Sequence, residues 1–323
     1  MTNIYNQLTK PFTVLAPLDD VSDVVFRKIV SGCAKPDLFF TEFVNVDGLQ
    51  SIGREKLLHK LWKTDSDDPL IAQLWGKTPD NYYKTAKELV AMGFAGIDIN
   101  MGCPDKAVVK NGCCIALINN RDLAKEIIDS TRSGATSKLP ISVKTRLGFN
   151  DIDLSWHEFL LSQKLDALFV HGRTKKEMSL VPAHWDVINQ IRIMRDKISP
   201  KTKIIGNGDI KNKAEALEYA AKYKLDGIMI GRGIFENPYA FSDNFASWST
   251  EPSEKKIALY RKHVQLFKDT YPKQQRSFNT LKRFAKVYIN NFNGANSLRE
   301  QVVSQKTIDE LVEVLDSWQG SKN

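Results

Sequence analysis

Eight short apolar runs, each bounded by turn residues and separated by segments with helical spacing, constrain this chain more than any other feature. They are TVLAP (13–17), LFFTEF (38–43), LIAQLW (70–75), GIDIN (96–100), ISVKT (141–145), DALFVH (166–171), KIIGNGD (203–209) and DGIMIGR (226–232). Runs this short and this apolar suit strands buried on both faces. Between them the spacing predicts helices over Ser22–Val30, the Arg54–Trp62 region, Asp80–Met92, Asn120–Arg132, Leu154–Lys164, Trp185–Lys197 and Lys213–Lys222, with Phe235–Phe245 after the last run. Alternating strands and helices imply a parallel sheet, and eight strands close a (β/α)8 barrel. The alternative, a doubly wound open sheet, carries a Gly-rich turn after its first strand. Here the first run ends in Ala16, Pro17 and Leu18. After Trp248 the strand-like runs stop, and Ile257, Tyr260, Val264 and Phe267 recur at helical intervals. The expected fold class is therefore α/β, a (β/α)8 TIM barrel over residues 1–248 followed by a small all-α C-terminal domain over 249–323.

Charge and cysteine usage narrow the function classes. The formal charge of +8 is unevenly spread. From Lys255 to Lys286 ten basic residues stand against a single acid, Asp269. A solvated helical face normally intersperses acids, so this density points to a polyanionic partner such as a nucleic acid. Cys33, Cys103, Cys113 and Cys114 show neither CxxC spacing nor histidines at zinc-finger intervals. Neither a disulfide framework nor a metal site is expected, and a reducing cytoplasm fits best. The first residues lack a secretory pattern, and no stretch approaches bilayer length, so membrane association is not expected. A monomer is the expected state.

In a (β/α)8 barrel the reactive groups gather where strands end. Those ends carry Asp19 and Asp20, Glu42, Gln73, Asn100 with Cys103, Lys144 with Arg146, His171 with Arg173, Asn207 with Asp209, and Gly231 with Arg232. GNGD (206–209) and IGRG (230–233) close the seventh and eighth runs, where glycines let backbone N–H groups approach a phosphate and a following helix N-terminus adds its dipole. Lys144 and His171 are placed to face a ligand ring. Cys103 sits between Gly102 and Pro104 with polar neighbours, which favours a chemical role over packing. Cys113 and Cys114 stand beside Ile115, Ala116 and Leu117, where packing is the simpler reading.

MGCPDKAVVKNG preceded by DIN, with SVKTRLG (142–148), VHGRT (170–174), GNGDI (206–210) and GRGIFENPY (231–239), resembles the tRNA-dihydrouridine synthases. APLDDVSD (16–23), FTEF (40–43) and IAQLWG (71–76) fit the same pattern, and the likeness runs from Val14 to about Tyr239, more loosely beyond. It implies a barrel holding FMN, NADPH as reductant, and a helical domain that helps bind tRNA. By motif position it makes Cys103 the general acid. Ala16, Pro17, Gln73, Lys144 and His171 would surround the flavin ring, and Asn207, Gly208, Asp209, Gly231 and Arg232 the ribityl phosphate end. Asn100 and Arg146 would address an extruded uracil, and Lys282, Arg283 and Lys286 the tRNA. Two positions depart from the pattern: Cys113 and Cys114 replace small residues, and Ser179 stands where an aromatic is frequent. A small-molecule flavin reductase of the dihydroorotate dehydrogenase kind would have no use for the basic helices. A barrel that only binds RNA would make Cys103, Lys144, Arg146 and His171 dispensable.

Overall fold

The computed structural model describes residues 3–244, 247–273 and 275–318. Its strands are β1 (Phe12–Leu15), β2 (Phe39–Asn45), β3 (Leu70–Trp75), β4 (Gly96–Met101), β5 (Ile141–Arg146), β6 (Ala167–His171), β7 (Lys203–Asn207) and β8 (Gly227–Ile230). All pair in parallel, in the order β1-β8-β7-β6-β5-β4-β3-β2. A bridge from Val14 to Leu38 closes the seam between β1 and β2. There Leu15 donates to the Leu38 carbonyl at 3.1 Å, and Leu38 to the Thr13 carbonyl at 3.2 Å. The sheet thus returns on itself as a (β/α)8 barrel.

Alternation along each strand sorts the side chains into two layers. Ile97, Ile99, Met101, Val143, Leu168 and Val170 face the helices in one large apolar cluster. Val14, Phe40, Ile71, Phe169, Ile205 and Met229 form a separate cluster inside the barrel. Tyr5, on the N-terminal turn Ile4–Gln7, joins this interior cluster and closes the end where the strands begin. Apolar layers fill that end, so polar residues near the strand C-termini have only the mouth to face.

Six of the eight helices expected around the barrel form, and two segments depart from expectation. Arg54–Trp62 makes two 3-10 turns, Arg54–Lys56 and Leu58–Leu61, instead of one helix. The Trp62 carbonyl accepts from Arg27 Nη2 at 2.6 Å and its ring stacks on Tyr271 at 5.5 Å, so tertiary contacts override local spacing. After β8 only one turn forms, Gly233–Glu236. Pro238 holds Asn237 in an extended conformation (φ −151°, ψ 107°) and ends the helix expected to reach Phe245, which lies outside the described residues. That single turn also adds far less dipole to the phosphate end than the expected helix would.

The C-terminal helices are Ser253–Thr270, Asn279–Arg283, Ala285–Tyr288, Ala295–Ser304 and Ile308–Ser317. They share one core with the barrel's outer layer: Phe26 stacks on Phe284 at 5.0 Å, and Trp248 Nε1 donates to the Val287 carbonyl at 2.7 Å. The architecture changes near residue 249, but the core does not. Nor is the basic run a free cationic face. Arg276 is buried against Glu42 and Asp23, and Lys256 donates to the Ser249 and Asn290 carbonyls at 3.1 and 3.0 Å. Arg261 pairs with Asp316, Lys268 with Asp309 and Arg283 with Asp20. The missing acids come from elsewhere in the chain. Among the described residues no helix is long and apolar enough to cross a membrane.

Candidate active site

The strand register assembles the site. Gln73 pairs with Asp98 and Asp98 with Ser142; Asn100 pairs with Lys144; Arg146 pairs with His171, and His171 with Asn207. Laterally paired residues share a face, so all of these side chains point into the barrel. Asp98 and Ser142 stay buried beneath, and the others meet at a cavity of about 600 Å³ in the mouth. Ala16, Pro17, Gln73, Asn100, Cys103, Lys144, Arg146, His171, Asn207, Gly208, Asp209, Gly231 and Arg232 all line it, together with Phe43, Arg173, Ser179 and Lys211. Lys282, Arg283 and Lys286 lie apart from it, on the short C-terminal helices.

Cys103 is held by the residues around it. Asn100 Oδ1 accepts from the backbone N–H groups of Gly102 and Cys103, each at 3.0 Å, which folds the GCP turn over the end of β4. Gly102 packs closely there, since a Cβ would lie 3.3 Å from backbone atoms of Lys144 and Thr145. The Cys103 thiol is half-buried, yet its pKa falls to about 7. Hydrogen bonding from the Cys114 side chain is the main cause; burial opposes it, and a backbone hydrogen bond at Asp105 assists. Cys114, buried and at a positive φ of 54°, therefore packs against the Cys103 thiol rather than only filling core. Replacing Cys114 with alanine removes that donor and is expected to raise the Cys103 pKa. The pH midpoint for Cys103 alkylation by iodoacetamide should move up from about 7. An unmoved midpoint would detach the two cysteines.

Cations crowd the opposite wall. Arg146 donates from Nε to the Gly102 carbonyl at 3.0 Å and from Nη1 to the Thr174 and Met178 carbonyls at 3.1 and 3.0 Å. The residue expected to address a base thus also ties the GCP turn to the 174–178 loop, and among the described residues Nη2 has no hydrogen-bond partner. Burial and the charge of Arg146 push Lys144 down to about 8. Among the described residues its ammonium has no hydrogen-bond or ion-pair partner. Burial, then Lys144, Arg146, Arg173 and Arg232, hold His171 well below its ordinary value, so the ring is neutral. Arg173 Nη1 lies 3.3 Å from His171 Nε2. A guanidinium only donates, which places the imidazole proton on Nδ1.

The β7 and β8 ends are shaped by glycine. Gly208 takes φ +140°, and a Cβ there would come within 2.6 Å of Ala183 Cβ. A Cβ on Gly231 would meet nothing closer than Ala16 Cβ at 3.8 Å, so its backbone is open to close approach. Asp209 follows at φ 59°, its carboxylate bonded to Arg173 and, at 3.0 Å, to the Ala183 N–H. Arg232 Nη2 reaches the same carboxylate at 3.4 Å. Burial works to raise the Asp209 carboxyl, but the hydrogen bonds from Arg173 and the Ala183 N–H, with the charges of both arginines, hold it below its ordinary range. What Asp209 offers an anion is its backbone N–H.

Sequence reasoning passed over Asp98 and the contact of Cys114 with Cys103. The alternation of Asp98 and Asn100 with Ile97, Ile99 and Met101 was the available signal for the first. The carboxylates of Asp19, Asp20 and Glu42 also converge, but Lys60, Arg276 and Arg283 neutralise them.

The chain matches the family model described as "Dihydrouridine synthase (Dus)" over residues 14–321. It is 41% identical over 98% of its length to a probable tRNA-dihydrouridine synthase of Staphylococcus aureus (strain COL), covering 96% of that protein. A probable tRNA-dihydrouridine synthase 2 of Bacillus subtilis (strain 168) is likewise 41% identical, over 98% of this chain and 97% of the relative. Among solved structures, morphinone reductase superposes with a TM-score of 0.52 at 11% identity, over 74% of this chain and 86% of that one, a likeness of fold. By the extent of the family match and the identity to these relatives, the chain belongs to the dihydrouridine synthase family.

Proposed function

We propose that this protein reduces the C5=C6 bond of uridines in tRNA to 5,6-dihydrouridine, with FMN in the barrel mouth and NADPH as the reductant. The observation that carries the reading is Lys144, an ammonium that has no hydrogen-bond or ion-pair partner among the described residues and lies beside a neutral His171 and three arginines. Such a wall is stabilised by an electron-rich ring carrying an anionic group. The glycine cradle at Gly208 and Gly231 suits the phosphate of the same molecule, with Asn207, the Asp209 N–H and Arg232 beside it. The donors present therefore fit FMN. Ala16 and Pro17 would back the ring, and Gln73, Lys144 and the His171 Nδ1–H would hold its polar edge.

The chemistry a bound, reduced FMN would supply is the hydride for C6. The protein's own part is to orient the uracil and deliver a proton to C5. Cys103 does the latter: its thiol passes a proton to the carbon as the C4 carbonyl draws charge, and must be neutral to do so. At a pKa of about 7, roughly half of it is neutral at physiological pH, where an acid is most effective. Asn100 sets the position of Cys103, and the free Nη2 of Arg146 is the donor available to the base. Residues 1–248 would carry the chemistry, and residues 249–323 would contact tRNA through Lys282, Arg283 and Lys286. Lys286 is exposed, and Lys282 lies over the Phe278 ring at 5.0 Å.

The test is direct. Purified protein should be yellow and, given NADPH and unmodified tRNA, should convert defined uridines to dihydrouridine, read by mapping the modified positions. Protein that never takes up FMN would overturn the reading.

A further inference from the structure

Asp98 lies beneath the cavity and is fully buried. Each of its oxygens has one donor: Ser142 Oγ at 2.6 Å on Oδ1 and Gln73 Nε2 at 2.7 Å on Oδ2. Ser142 Oγ in turn accepts from the Tyr5 hydroxyl at 3.0 Å. On the cavity side, Gln73 Oε1 accepts from Asn100 Nδ2 at 3.2 Å, and Asn100 Oδ1 receives the N–H groups of Gly102 and Cys103. An unbroken chain therefore links the floor of the barrel to the backbone of Cys103.

The sense of that chain is set at one point. A carboxylate only accepts, so Nε2 of Gln73 must face it and Oε1 must face Asn100. Asn100 must then turn Nδ2 to Gln73 and Oδ1 to the GCP turn. Neither amide can flip without setting two donors or two acceptors against each other in a buried site.

We propose that Asp98 is a positioning residue for uridine reduction, fixing through Gln73 and Asn100 the orientation of both cavity amides and the placement of Cys103. This rests on the reading of the site as a flavin reductase. Burial pushes the Asp98 carboxyl up to about 7, while Ser142, Gln73 and the Lys144 charge hold it from rising further. The acceptor form is thus populated at neutral pH and above.

Asp98→Asn, nearly isosteric, is the test. Asparagine can present either end, and the Ser142 and Tyr5 hydroxyls can reverse to suit, so both senses of the chain become available. The variant should keep FMN and its KM for tRNA, while kcat falls by at least about 10-fold. Ser142→Ala removes a hydrogen bond of equal burial but leaves the acceptor, and should stay within about 3-fold of wild type. Equal losses in the two variants would reduce Asp98 to packing and overturn the proposal, as would wild-type kcat in Asp98→Asn. A readout free of flavin separates this from the function itself: in wild-type protein one Gln73 side-chain amide proton should exchange slowly in 15N spectra. Exchange of both protons at the rate of an exposed glutamine overturns the proposal whether or not the variant folds and whatever the reaction proves to be.

Discussion

Alanine in place of Cys103 is expected to leave FMN and tRNA bound and to slow uridine reduction by at least ~10²-fold, about 2.7 kcal/mol of transition-state stabilisation. Binding should survive because the residues proposed for ring and phosphate lie on other strands, and the Asn100 bonds that shape the GCP turn go to backbone N–H groups that alanine retains. The proton itself has few other sources. His171 is neutral and held by Arg173, and Arg146 stays cationic even though burial lowers it to about 10. Lys144, which lines the cavity and is lowered to about 8, is protonated and acidic enough to compete, whereas the Asp98 carboxyl lies buried beneath the cavity. The measurement is single-turnover oxidation of the reduced enzyme on mixing with tRNA. A full rate in the variant would move the acid to Lys144. The pH dependence carries a sign of its own: a general acid must be protonated, so the wild-type rate should fall as pH rises through about 7, and in Cys114→Ala that fall should shift to higher pH.

The barrel was legible in the sequence because its strands are buried on both faces, which leaves apolar runs too short for helices and too regular for loops. The thirteen barrel residues that the family resemblance picked out all line one cavity, because the closed sheet turns those strand ends into the mouth. Asp20 and Glu42, also at strand ends, pair with Arg276 and Arg283 instead. What the sequence hid depends on partners far away along the chain. Residues 54–62 have helical spacing, but Arg27 and Tyr271 claim Trp62. Pro238 was visible and marked the early end of the last barrel helix. The basic run looked unneutralised because its acids sit at Asp20, Asp23, Glu42, Asp309 and Asp316, outside any local window. Cys114 hid in an apolar stretch because nothing local shows that its backbone turns it toward Cys103. Asp98 interrupts an apolar run in a way that only the register of β3, β4 and β5 explains.

Arg276→Leu is expected to destabilise the fold by ~3–5 kcal/mol at neutral pH, the usual cost of stripping one partner from a buried ion pair. Its guanidinium donates from Nη1 to both Glu42 oxygens at 3.1 and 2.9 Å and from Nη2 to Oε1 at 3.1 Å. Nε lies 3.2 Å from Asp23 Oδ2 as an ion pair. The side chains of Arg276, Glu42 and Asp23 are 4%, 0% and 5% exposed, so water cannot replace the lost cation. Burial already raises both carboxyls above their ordinary values of 4.5 and 3.8, and Arg276 is the largest influence holding each down. Without it both should rise further. A carboxyl whose folded pKa exceeds its unfolded one adds stability that is full below the unfolded value and lost as pH climbs through the folded one. The variant should therefore be least stable at neutral pH and recover toward wild type as pH drops to about 5, read from urea melts at both values. A gap that stays constant or widens in acid would show that the carboxylates are not the source. Arg276 joins the C-terminal helices to β2 at the rim of the mouth, where Asp20 also pairs with Arg283. The same variant should thus weaken tRNA binding while the barrel still holds FMN, since the residues proposed to hold the flavin do not touch this seam.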